Sequence, residues 1–384
     1  MIPLSSPLID KTELAYVTDC LKSGWVSSVG EFVTEFEERI AAIANTKYAV
    51  ATSSGTAALH LALLAAKLGP NDEVLVSNLT FVAPVNAIKY VGAHPVLVDA
   101  ENRYWQMDFD LVESFLEKEC DNRNGMLINI KTGRRVKALL PVHILGNCVD
   151  LKRASELAER FNLLLIEDAS ESLGALSQGK PVGGIGDMGC FSFNGNKLLT
   201  CGGGGMLVTN NKDYADKARY LSTQAKDDRV EYVHGDVGYN YRLTNIQAAL
   251  GVAQCTQIDQ FLSHKKKVAD LYSESLTNIS GITLPKTHKN IQNSWWLYTI
   301  LIDQEKYGID SRQLLKELHN KGIQSRPLWQ PIHLNAPYVD EQRLMGDVSI
   351  ALYRKAISIP CSVNLSDKEQ DKVIKTIQEL AKKK

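Results

Sequence analysis

From residue 48 to residue 209, short apolar runs alternate with helical segments, and this alternation restricts the fold more than any other feature. The predicted strands are Tyr48–Thr52, Glu73–Ser77, Pro95–Asp99, Val136–His143, Leu163–Asp168, Cys190–Phe193 and Met206–Thr209. Apolar residues at helical spacing predict helices between several of these strands, at Ala57–Leu68, Val85–Val91, Leu111–Glu117 and Leu151–Phe161. Strands that alternate with helices favour βαβ units. We therefore expect an α/β fold with a mostly parallel sheet flanked by helices.

The C-terminal part of the chain follows a different pattern, and we place a domain change near Pro285. Long helices are predicted before it, at Lys212–Leu221 and Thr244–Leu276. After it, the predicted elements are a strand at Trp296–Ile302 and helices at Ser311–Lys321, Asp347–Ala356 and Asp367–Lys383. With 384 residues, 44% of them hydrophobic, the chain is long enough for two domains. We expect a large domain over residues 1–284 and a smaller α+β domain over residues 285–384.

Composition excludes several classes of function. A formal net charge of −1 gives no electrostatic case for binding nucleic acid or an anionic membrane. The first six residues lack the basic and apolar parts of a signal peptide, and the most apolar predicted helix is too short to span a bilayer. Seven cysteines lie singly without a CxxC pair, which is typical of reduced thiols and indicates no zinc site. We expect a cytoplasmic protein with no bound metal.

One lysine stands at an unusual place in the chain. The predicted strand Cys190–Phe193 ends in the turn signal Asn194-Gly195-Asn196, Lys197 follows, and the glycine run 202–205 leads into the next strand. Glycines let the backbone approach a bound group closely. A lysine fixed there can form a Schiff base with a carbonyl, provided that the amine is kept deprotonated. Taken alone, the stretch more often indicates a surface lysine beside a flexible loop.

A second feature upstream changes that interpretation. The apolar run Leu163-Leu164-Leu165-Ile166 ends in Glu167 and Asp168. This pattern predicts a buried parallel strand with a carboxylate at its carboxyl end, where open α/β sheets place ligands. A cofactor with a pyridinium nitrogen needs a lysine for its aldehyde and an acid for its ring nitrogen. The pair therefore predicts pyridoxal 5'-phosphate as the cofactor.

Other segments can contribute to such a site, and each has a structural alternative. Ser54-Gly55-Thr56-Ala57 lies where a strand turns into a helix, which suits a phosphate but also suits a plain helix cap. Phe81 follows the next strand and can stack on a planar ring or pack in the core. The loops 238–245 and 326–334 combine aromatic and basic residues, and each can equally be an ordinary connection.

Four of these motifs together resemble the DegT/DnrJ/EryC1/StrS family of sugar-nucleotide aminotransferases. The motifs are Ser54-Gly55-Thr56, Glu167-Asp168-Ala169-Ser170-Glu171, Ser192-Phe193-Asn194-Gly195-Asn196-Lys197 and Gly238-Tyr239-Asn240-Tyr241-Arg242. The resemblance covers essentially the whole chain, with the motifs in the same order. It implies a fold-type-I, aspartate-aminotransferase-like enzyme that depends on pyridoxal phosphate.

The resemblance also implies a role for individual residues. Lys197 matches the lysine that bonds the cofactor, and Asp168 matches the partner of the pyridine nitrogen. Phe81 matches the aromatic residue that stacks on the ring, and Glu171 falls beside the phenolic oxygen. The positions that match the phosphate site are Gly55, Thr56, Ala57 and Ser192, together with Asn240 from the neighbouring subunit. A homodimer with shared active sites is therefore implied.

Three further segments resemble one branch of the family, which acts on the bacillosamine and legionaminic acid routes. They are Trp25-Val26-Ser27-Ser28-Val29-Gly30, Thr223-Gln224-Ala225-Lys226-Asp227-Asp228 and Arg326-Pro327-Leu328-Trp329. The implied reaction moves an amino group from L-glutamate to C4 of a UDP-linked 4-keto-6-deoxy-N-acetylglucosamine, giving a UDP-4-amino-4,6-dideoxy sugar. The implied sugar contacts are Trp25, Arg242, Arg326, Trp329 and His333.

Several alternatives stay open. The acceptor can be another keto sugar nucleotide, linked to dTDP or GDP and aminated at C3 or C4. A pyridoxal phosphate transaminase or lyase for free amino acids is a second enzymatic alternative. A non-catalytic sugar-nucleotide-binding protein is a third, but such a protein would lose the lysine or the acid first, and both are present. Dehydratases of the same family replace the lysine by histidine, so Lys197 counts against that activity.

Overall fold

The structure, a computed structural model, describes residues 1–228 and 230–381. Its α-helices are, in chain order, α1 Lys11–Ser23, α2 Glu31–Ala44, α3 Gly55–Ala65, α4 Ala83–Tyr90, α5 Phe109–Lys118, α6 Leu151–Phe161, α7 Lys212–Ser222, α8 Asn245–Cys255, α9 Ile258–Leu276, α10 Gln304–Tyr307, α11 Ser311–Asn320, α12 Val348–Lys355 and α13 Asp367–Ala381. Short 3₁₀ helices cover Ile144–Gly146, Ile332–Leu334 and Ala336–Tyr338.

The strands are β1 Tyr48–Thr52, β2 Asp72–Ser77, β3 His94–Val98, β4 Cys120–Arg123, β5 Met126–Asn129, β6 Arg135–Leu140, β7 Leu164–Asp168, β8 Leu176–Ser177, β9 Lys180–Pro181, β10 Met188–Ser192, β11 Gly205–Thr209, β12 Lys226–Asp228, β13 Val233–His234, β14 Ile282–Thr283, β15 Ile291–Gln292, β16 Tyr298–Ile302, β17 Arg343–Leu344 and β18 Ala356–Ile359. The main sheet runs in the order β1-β11-β10-β7-β6-β2-β3-β17. Its strands pair in parallel from β10 to β17, whereas β11 lies antiparallel to both of its neighbours. The predicted α/β fold with a mostly parallel sheet is confirmed.

Local sequence explains how α1 begins and ends. The Asp10 carboxylate accepts the N–H of Thr12 (2.7 Å), and the Glu13 carboxylate accepts the N–H of Asp10 (2.8 Å), which completes a capping box. Gly24 then ends the helix with a φ of 74°, a left-handed conformation that costs glycine little because it has no Cβ.

The prediction of a single helix over Thr244–Leu276 is wrong, because α8 ends at Cys255 and α9 begins at Ile258. Thr256 lies at the break, and its hydroxyl donates to the carbonyl of Ala253 (2.6 Å). Such a local side-chain bond competes with the continuation of a helix. The periodic apolar pattern runs through the break and does not reveal it.

Helices cover both faces of the main sheet and enclose two hydrophobic cores. One core packs α2, α5 and α6 against the sheet, and the other packs α3, α4 and α7 against it. A third core joins α9, α11 and α13 to the antiparallel sheet β14-β16-β18. This third core draws on residues from both sides of position 285, since Tyr272 and Ile2 contribute to it. The domain boundary between residues 284 and 285 stays a prediction.

The C-terminal part differs from the prediction in its strands. The sequence predicts one strand there, whereas β16 pairs with both β14 and β18. β18 begins at Ala356, where the predicted helix Asp347–Ala356 was expected to end. Four described strands in this part of the chain were not predicted, namely β14, β15, β17 and β18. They are short and carry no clear alternation, so local pattern did not distinguish them from loop or helix. α13 is described as far as Ala381, and the predicted helix end at Lys383 lies outside the described residues.

Within residues 1–228 and 230–381, no helix combines the length and the apolar character that crossing a lipid bilayer requires. All seven cysteines lie in these ranges, where each is buried and free of disulfide bonds. Burial raises the pKa of the Cys190 and Cys201 thiols, which lie on either side of Lys197 in the chain. Both therefore behave as small apolar side chains rather than as nucleophiles.

Candidate active site

The carboxyl ends of the parallel strands meet at one edge of the main sheet, and the predicted cofactor residues gather there. β1 leads into Ser54 and α3, β7 ends at Asp168, and β10 ends at Ser192. The antiparallel strand β11 begins at this edge, because Gly205 pairs with both Ser192 and Thr52. Open α/β sheets bind ligands at this edge, which makes it the candidate active site.

Lys197 lies in the turn that follows β10. Its N–H donates to the carbonyl of Asn194 (3.0 Å). Its Nζ lies 3.3 Å from Oε1 of Glu171 and 3.9 Å from the ring centroid of Trp296. The Lys197 side chain is only 14% exposed. The amine is therefore held between a carboxylate and an aromatic face and shielded from most solvent.

Glu171 is fixed by a second contact. Its Oε2 accepts the N–H of Leu145 (2.9 Å), a residue in the 3₁₀ turn after β6 with a φ of 64°. Burial raises the pKa of Glu171, and the charge of Lys197 and the N–H of Leu145 offset only part of that rise. Glu171 can therefore hold or share a proton beside the lysine, which a fully ionised surface glutamate would not do.

Glu167 and Asp168 are neighbours on β7, so their side chains point to opposite faces of the sheet. The carboxylate of Glu167 lies 3.0 Å from Nε2 of His143 and accepts the N–H groups of Gly183 (2.8 Å), Ile185 (2.8 Å) and Gly186 (2.7 Å). Burial alone would raise the pKa of Glu167, but the hydrogen bond and charge of His143, with these N–H groups, lower it below its usual value. Glu167 is therefore an ionised carboxylate that ties the loop before β10 to the sheet.

Asp168 is buried in a different setting. Its Oδ1 accepts the N–H of Ser170 (3.1 Å). Burial raises the pKa of Asp168, and the bonds from Ser170 and the charge of Lys197 offset only part of that rise. A carboxylate has sites for several donors, so Asp168 retains acceptor capacity beyond the bonds from Ser170. A cationic ring nitrogen is a partner that would offset its desolvation.

The amino end of α3 forms a cradle beside these residues. Ser54 caps the helix, since its Oγ accepts the N–H of Ala57 (3.0 Å). A Cβ on Gly55 would lie 2.8 Å from Cβ of Ser192 and 3.2 Å from Oγ of Ser170, so the residue must be glycine if the two serines are to stay in place. Gly55, Thr56 and Ala57 form the first turn, where N–H groups lack partners within the helix. The Ser192 hydroxyl beside these free N–H groups makes the helix N-terminus suit a phosphate group.

Phe81 and the 326–334 loop lie near the end of β2. Phe81 is 56% exposed, so it is not a core residue. Asn78 fastens the loop: its carbonyl accepts the N–H of Ile332 (3.0 Å), and its Oδ1 lies 3.0 Å from Nδ1 of His333. His333 is 5% exposed and thus supports the loop from beneath. Arg326 is exposed and Trp329 is half-buried on the same loop.

Three further predicted residues are Trp25, Asn240 and Arg242, and the last of these adjoins the sheet edge, because its backbone pairs with Thr52 at the end of β1. They line an open groove of about 1220 Å³, whose described lining does not include Lys197 or Asp168. Arg242 donates from Nη2 to the carbonyl of Ser28 (3.4 Å) across this groove. The structure of one chain therefore brings the predicted lysine, acid and phosphate residues together at the sheet edge, and it places the predicted neighbour-facing residue elsewhere.

Sequence reasoning missed three residues at the sheet edge. Ser170 lies inside a motif that the resemblance quoted, and its spacing of two from Asp168 is the signal of a local carboxylate turn. His143 ends a predicted strand next to β7, which indicates nearness but not a bond to Glu167. Trp296 is far from Lys197 in the chain, and no local pattern connects the two.

The fold and the sheet edge define a class: an α/β enzyme with a buried lysine, a buried acid and a phosphate cradle, as pyridoxal phosphate chemistry requires. The model of the DegT/DnrJ/EryC1/StrS aminotransferase family matches residues 7–378, and the chain belongs to this family. GDP-perosamine synthases of Caulobacter vibrioides and Escherichia coli O157:H7 are 37% and 36% identical to this chain, over 99% and 98% of it and 98% of each relative. Spr1654, a putative sugar aminotransferase of Streptococcus pneumoniae solved in its PLP-form, has a TM-score of 0.88 and 27% identity, covering 100% of this chain and 99% of that one.

The chain is a pyridoxal phosphate-dependent nucleotide-sugar aminotransferase. The residues present fit the cofactor, because the cradle at Gly55 has no room for a Cβ and a buried acid with spare acceptor capacity lies beside Lys197. When bound, pyridoxal phosphate supplies an aldehyde that carries the amino group and a ring that withdraws electrons from the reacting carbon.

Proposed function

We propose that this enzyme transfers an amino group from L-glutamate to the keto carbon of a GDP-linked sugar. The observation that carries the proposal is the similarity to two GDP-perosamine synthases, at 37% and 36% identity over nearly the full length of both chains. The product would be a GDP-linked amino sugar for polysaccharide synthesis. We place the reaction in the cytoplasm, where the charged sugar nucleotide would be retained.

A second candidate acceptor is a UDP-linked 4-keto-6-deoxy-N-acetylglucosamine aminated at C4. It is favoured by the segments Trp25–Gly30 and Arg326–Trp329, which resemble the bacillosamine and legionaminic acid branch. Trp25 is exposed in the groove and Arg326 is exposed on the loop fastened by Asn78, so each is accessible to a ligand. Arginine can bind a diphosphate through two parallel hydrogen bonds, whichever nucleoside follows it.

Incubation with L-glutamate and a panel of GDP-, UDP- and dTDP-linked 4-keto-6-deoxy sugars, followed by mass spectrometry, tests the acceptor. A site that hydrogen-bonds one base leaves polar groups unpaired with another, so we expect the GDP sugar to exceed the others by about tenfold or more in kcat/KM. Higher kcat/KM with the UDP-linked N-acetyl sugar would support the second candidate instead. Transfer to free keto acids alone would contradict both.

We propose the following roles for the residues at the sheet edge. Lys197 holds the cofactor, and its freed Nζ takes and returns the proton on the α-carbon of the donor. Asp168 stays ionised and faces the ring nitrogen. Glu171 holds the lysine amine and shares a proton with its neighbours, which its raised pKa supports. The phosphate is held by the amino end of α3 and by Ser192, and Phe81 covers the ring.

We further propose a homodimer in which Asn240 reaches the phosphate in the partner's site. Asn240 is exposed and lines the groove, rather than lying beside Ser192 of its own chain. Three large apolar side chains that line this groove are exposed, namely Trp25, Val29 and Tyr232. Val237, five residues after Tyr232 in the chain, is exposed as well. An apolar patch of this kind is typical of a protein–protein interface.

Mixing two inactive variants, Lys197→Ala and Asn240→Asp, tests the shared site. Hybrid dimers would combine one intact lysine with one intact asparagine at a single site, so part of the activity should return. The absence of recovery, despite measured subunit exchange and despite Asn240→Asp being inactive alone, would place Asn240 outside the partner's site. Size-exclusion chromatography with light scattering gives the oligomeric state independently.

A further inference from the structure

We propose that Trp296 is a positioning residue that gives the amine of Lys197 a fixed resting place, and that Lys265 holds Trp296 there. The proposal rests on the role proposed for Lys197. It concerns the stage at which the lysine is free of the cofactor and must still deliver and collect a proton at the right atom.

The first observation is that Trp296 contacts Lys197 in two ways. Its ring lies under the amine, with 3.9 Å from Nζ to the ring centroid. Its indole Nε1–H donates to the carbonyl of Asn196 (2.7 Å), the residue just before the lysine. An aromatic face attracts an ammonium group, and the indole bond fixes the backbone from which the lysine side chain extends. One side chain therefore restrains both ends of Lys197.

The second observation is the support beneath Trp296. Lys265, on α9, is buried, and its Nζ donates to the carbonyl of Trp296 (2.9 Å) and to the carbonyl of Cys361. Burial lowers the pKa of Lys265, as expected for a cation removed from water. A buried lysine bonded to two carbonyls adds little to the free energy of unfolding by itself, because the cost of removing its charge from water offsets the hydrogen bonds. Its effect is to join α9, the start of β16 and the segment after β18 at Trp296.

The third observation is that both partners of the Lys197 amine attach to one turn. Leu145 of this turn donates its N–H to Glu171, the other partner of the amine. The next residue, Gly146, has a φ of 90°, and a Cβ there would lie 2.4 Å from the backbone nitrogen of Trp296. The Gly146 carbonyl also accepts the N–H of Ser294 (2.9 Å). The carboxylate and the ring are therefore held at a set separation, with the amine between them.

Two variants and a matched control test the inference. Trp296→Leu removes the ring and the indole N–H, whereas Trp296→Phe keeps an aromatic face and loses only the N–H. The control is Trp295→Phe, the neighbouring tryptophan, which stacks on Tyr298 in the third core and belongs to no part of the site. Circular dichroism of the holoenzymes checks that each variant is folded.

The first measurement follows the lysine itself. After excess L-glutamate has freed the lysine, brief treatment with acetic anhydride and peptide mapping give the fraction of Lys197 that is acetylated. We expect Trp296→Leu to raise this fraction about threefold or more, because the ring no longer covers the amine and leaves it open to the reagent. Trp296→Phe should give a smaller rise, and the Trp295→Phe control none.

The second measurement is steady-state kinetics. We expect kcat for Trp296→Leu to fall about 100-fold with KM for glutamate changed less than about threefold, since a reacting group is misplaced while substrate contacts remain. Trp296→Phe should lie between this variant and wild type. If Trp296→Leu fails to fold, acetylation and kcat of Trp296→Phe and Lys265→Met are compared with those of the Trp295→Phe control instead.

Acetylation and kcat in the Trp296 variants equal to those of the Trp295→Phe control would overturn the inference. Borohydride reduction of the wild-type holoenzyme with peptide mapping separates this failure from a failure of the proposed function. An adduct on a lysine other than Lys197 would remove the premise. An adduct on Lys197, together with Trp296 variants that match the control in acetylation and kcat, would contradict only the role proposed for Trp296.

Discussion

Glu167 and Asp168 are adjacent carboxylates on β7, and both are buried. They differ in the hydrogen-bond donors that surround each carboxylate. The Glu167 carboxylate binds three backbone N–H groups and His143, and its pKa is lowered against the effect of burial. The Asp168 carboxylate is bonded by Ser170, and its pKa is raised by burial. A buried acid saturated by its own chain stabilises the fold, whereas one with spare acceptor capacity is available to a ligand.

The difference extends to the two faces of the strand. On the side of Glu167, the glycine-rich loop before β10 packs closely on the sheet, and a Cβ on Gly186 would lie 2.5 Å from the carbonyl of Leu165. On the side of Asp168 lie Lys197 and the cradle at the amino end of α3. We therefore expect substitutions on the Glu167 face to lower the stability of the fold and substitutions on the Asp168 face to lower catalytic activity.

The largest effect should come from Lys197→Ala. We expect kcat to fall about 10⁵-fold or more, because the variant lacks both the amine that bonds the cofactor and the group that moves the proton. The protein should still fold, since Lys197 lies in a turn outside the three cores. Steady-state assays and circular dichroism measure the two outcomes. Residual activity above a few per cent would show that another lysine does this work.

The next largest effect compares the two carboxylates directly. We expect Asp168→Asn to lower kcat about 10³-fold with little loss of stability, because it removes the charge that faces the ring nitrogen. Glu167→Gln should instead lower the free energy of unfolding by about 3 kcal/mol, since its amide presents a donor to other donors, while kcat changes less than about tenfold. Kinetics and urea denaturation of the holoenzymes check both. The reverse ranking in kcat would exchange the roles of the two acids.

The sequence alone could not have separated these acids. Alternation along the strand shows that Glu167 and Asp168 face opposite ways, but not which face is catalytic. The groups that saturate Glu167 lie in the glycine-rich loop before β10 and at His143, shortly after β6, and only folding brings them together. Resemblance to a family supplied the choice that spacing could not.

The main sheet was more predictable than the site. Long apolar runs bounded by turn residues placed the seven predicted strands between Tyr48 and Thr209 within a few residues of their observed ends, because burial of both sheet faces leaves a strong local signal. Short edge strands such as β17 and β18 carry little of that signal. The contact between Trp296 and Lys197 could not be predicted for a different reason, since it joins two segments that only the tertiary fold brings together.

A smaller effect should follow from enlarging the cradle on the catalytic face. In Gly55→Ala, the new Cβ would lie 2.8 Å from Cβ of Ser192, so the serine or the helix must shift away from the phosphate site. We expect the affinity for pyridoxal phosphate to fall about tenfold, the size of a typical overpacking cost. Gly195→Ala is the matched control, because a Cβ there meets no atom within 4 Å. Absorbance titration of the cofactor-free enzyme measures both, and equal affinities would place the phosphate elsewhere.

The smallest effect is a pH dependence of opposite sign on the two faces, measured without cofactor. The pKa of Asp168 is raised in the folded chain, so its burial costs stability as pH rises from the usual aspartate range through the raised pKa. Asp168→Asn removes that cost and should raise the thermal midpoint by about 2 °C at pH 8, with the gain vanishing as pH falls.

The pKa of Glu167 is lowered, so its contribution to stability is present above the usual glutamate range and is lost as pH falls through the lowered pKa. Glu167→Gln should therefore show a lower midpoint at pH 8 that approaches wild type only under acid conditions. Glu171, whose pKa is also raised, is present in all three proteins; because the charge of Asp168 contributes to that rise, Asp168→Asn relieves part of it and adds to the gain in the same direction. A lower midpoint for Asp168→Asn at pH 8 would mean that Asp168, like Glu167, is satisfied by its own chain.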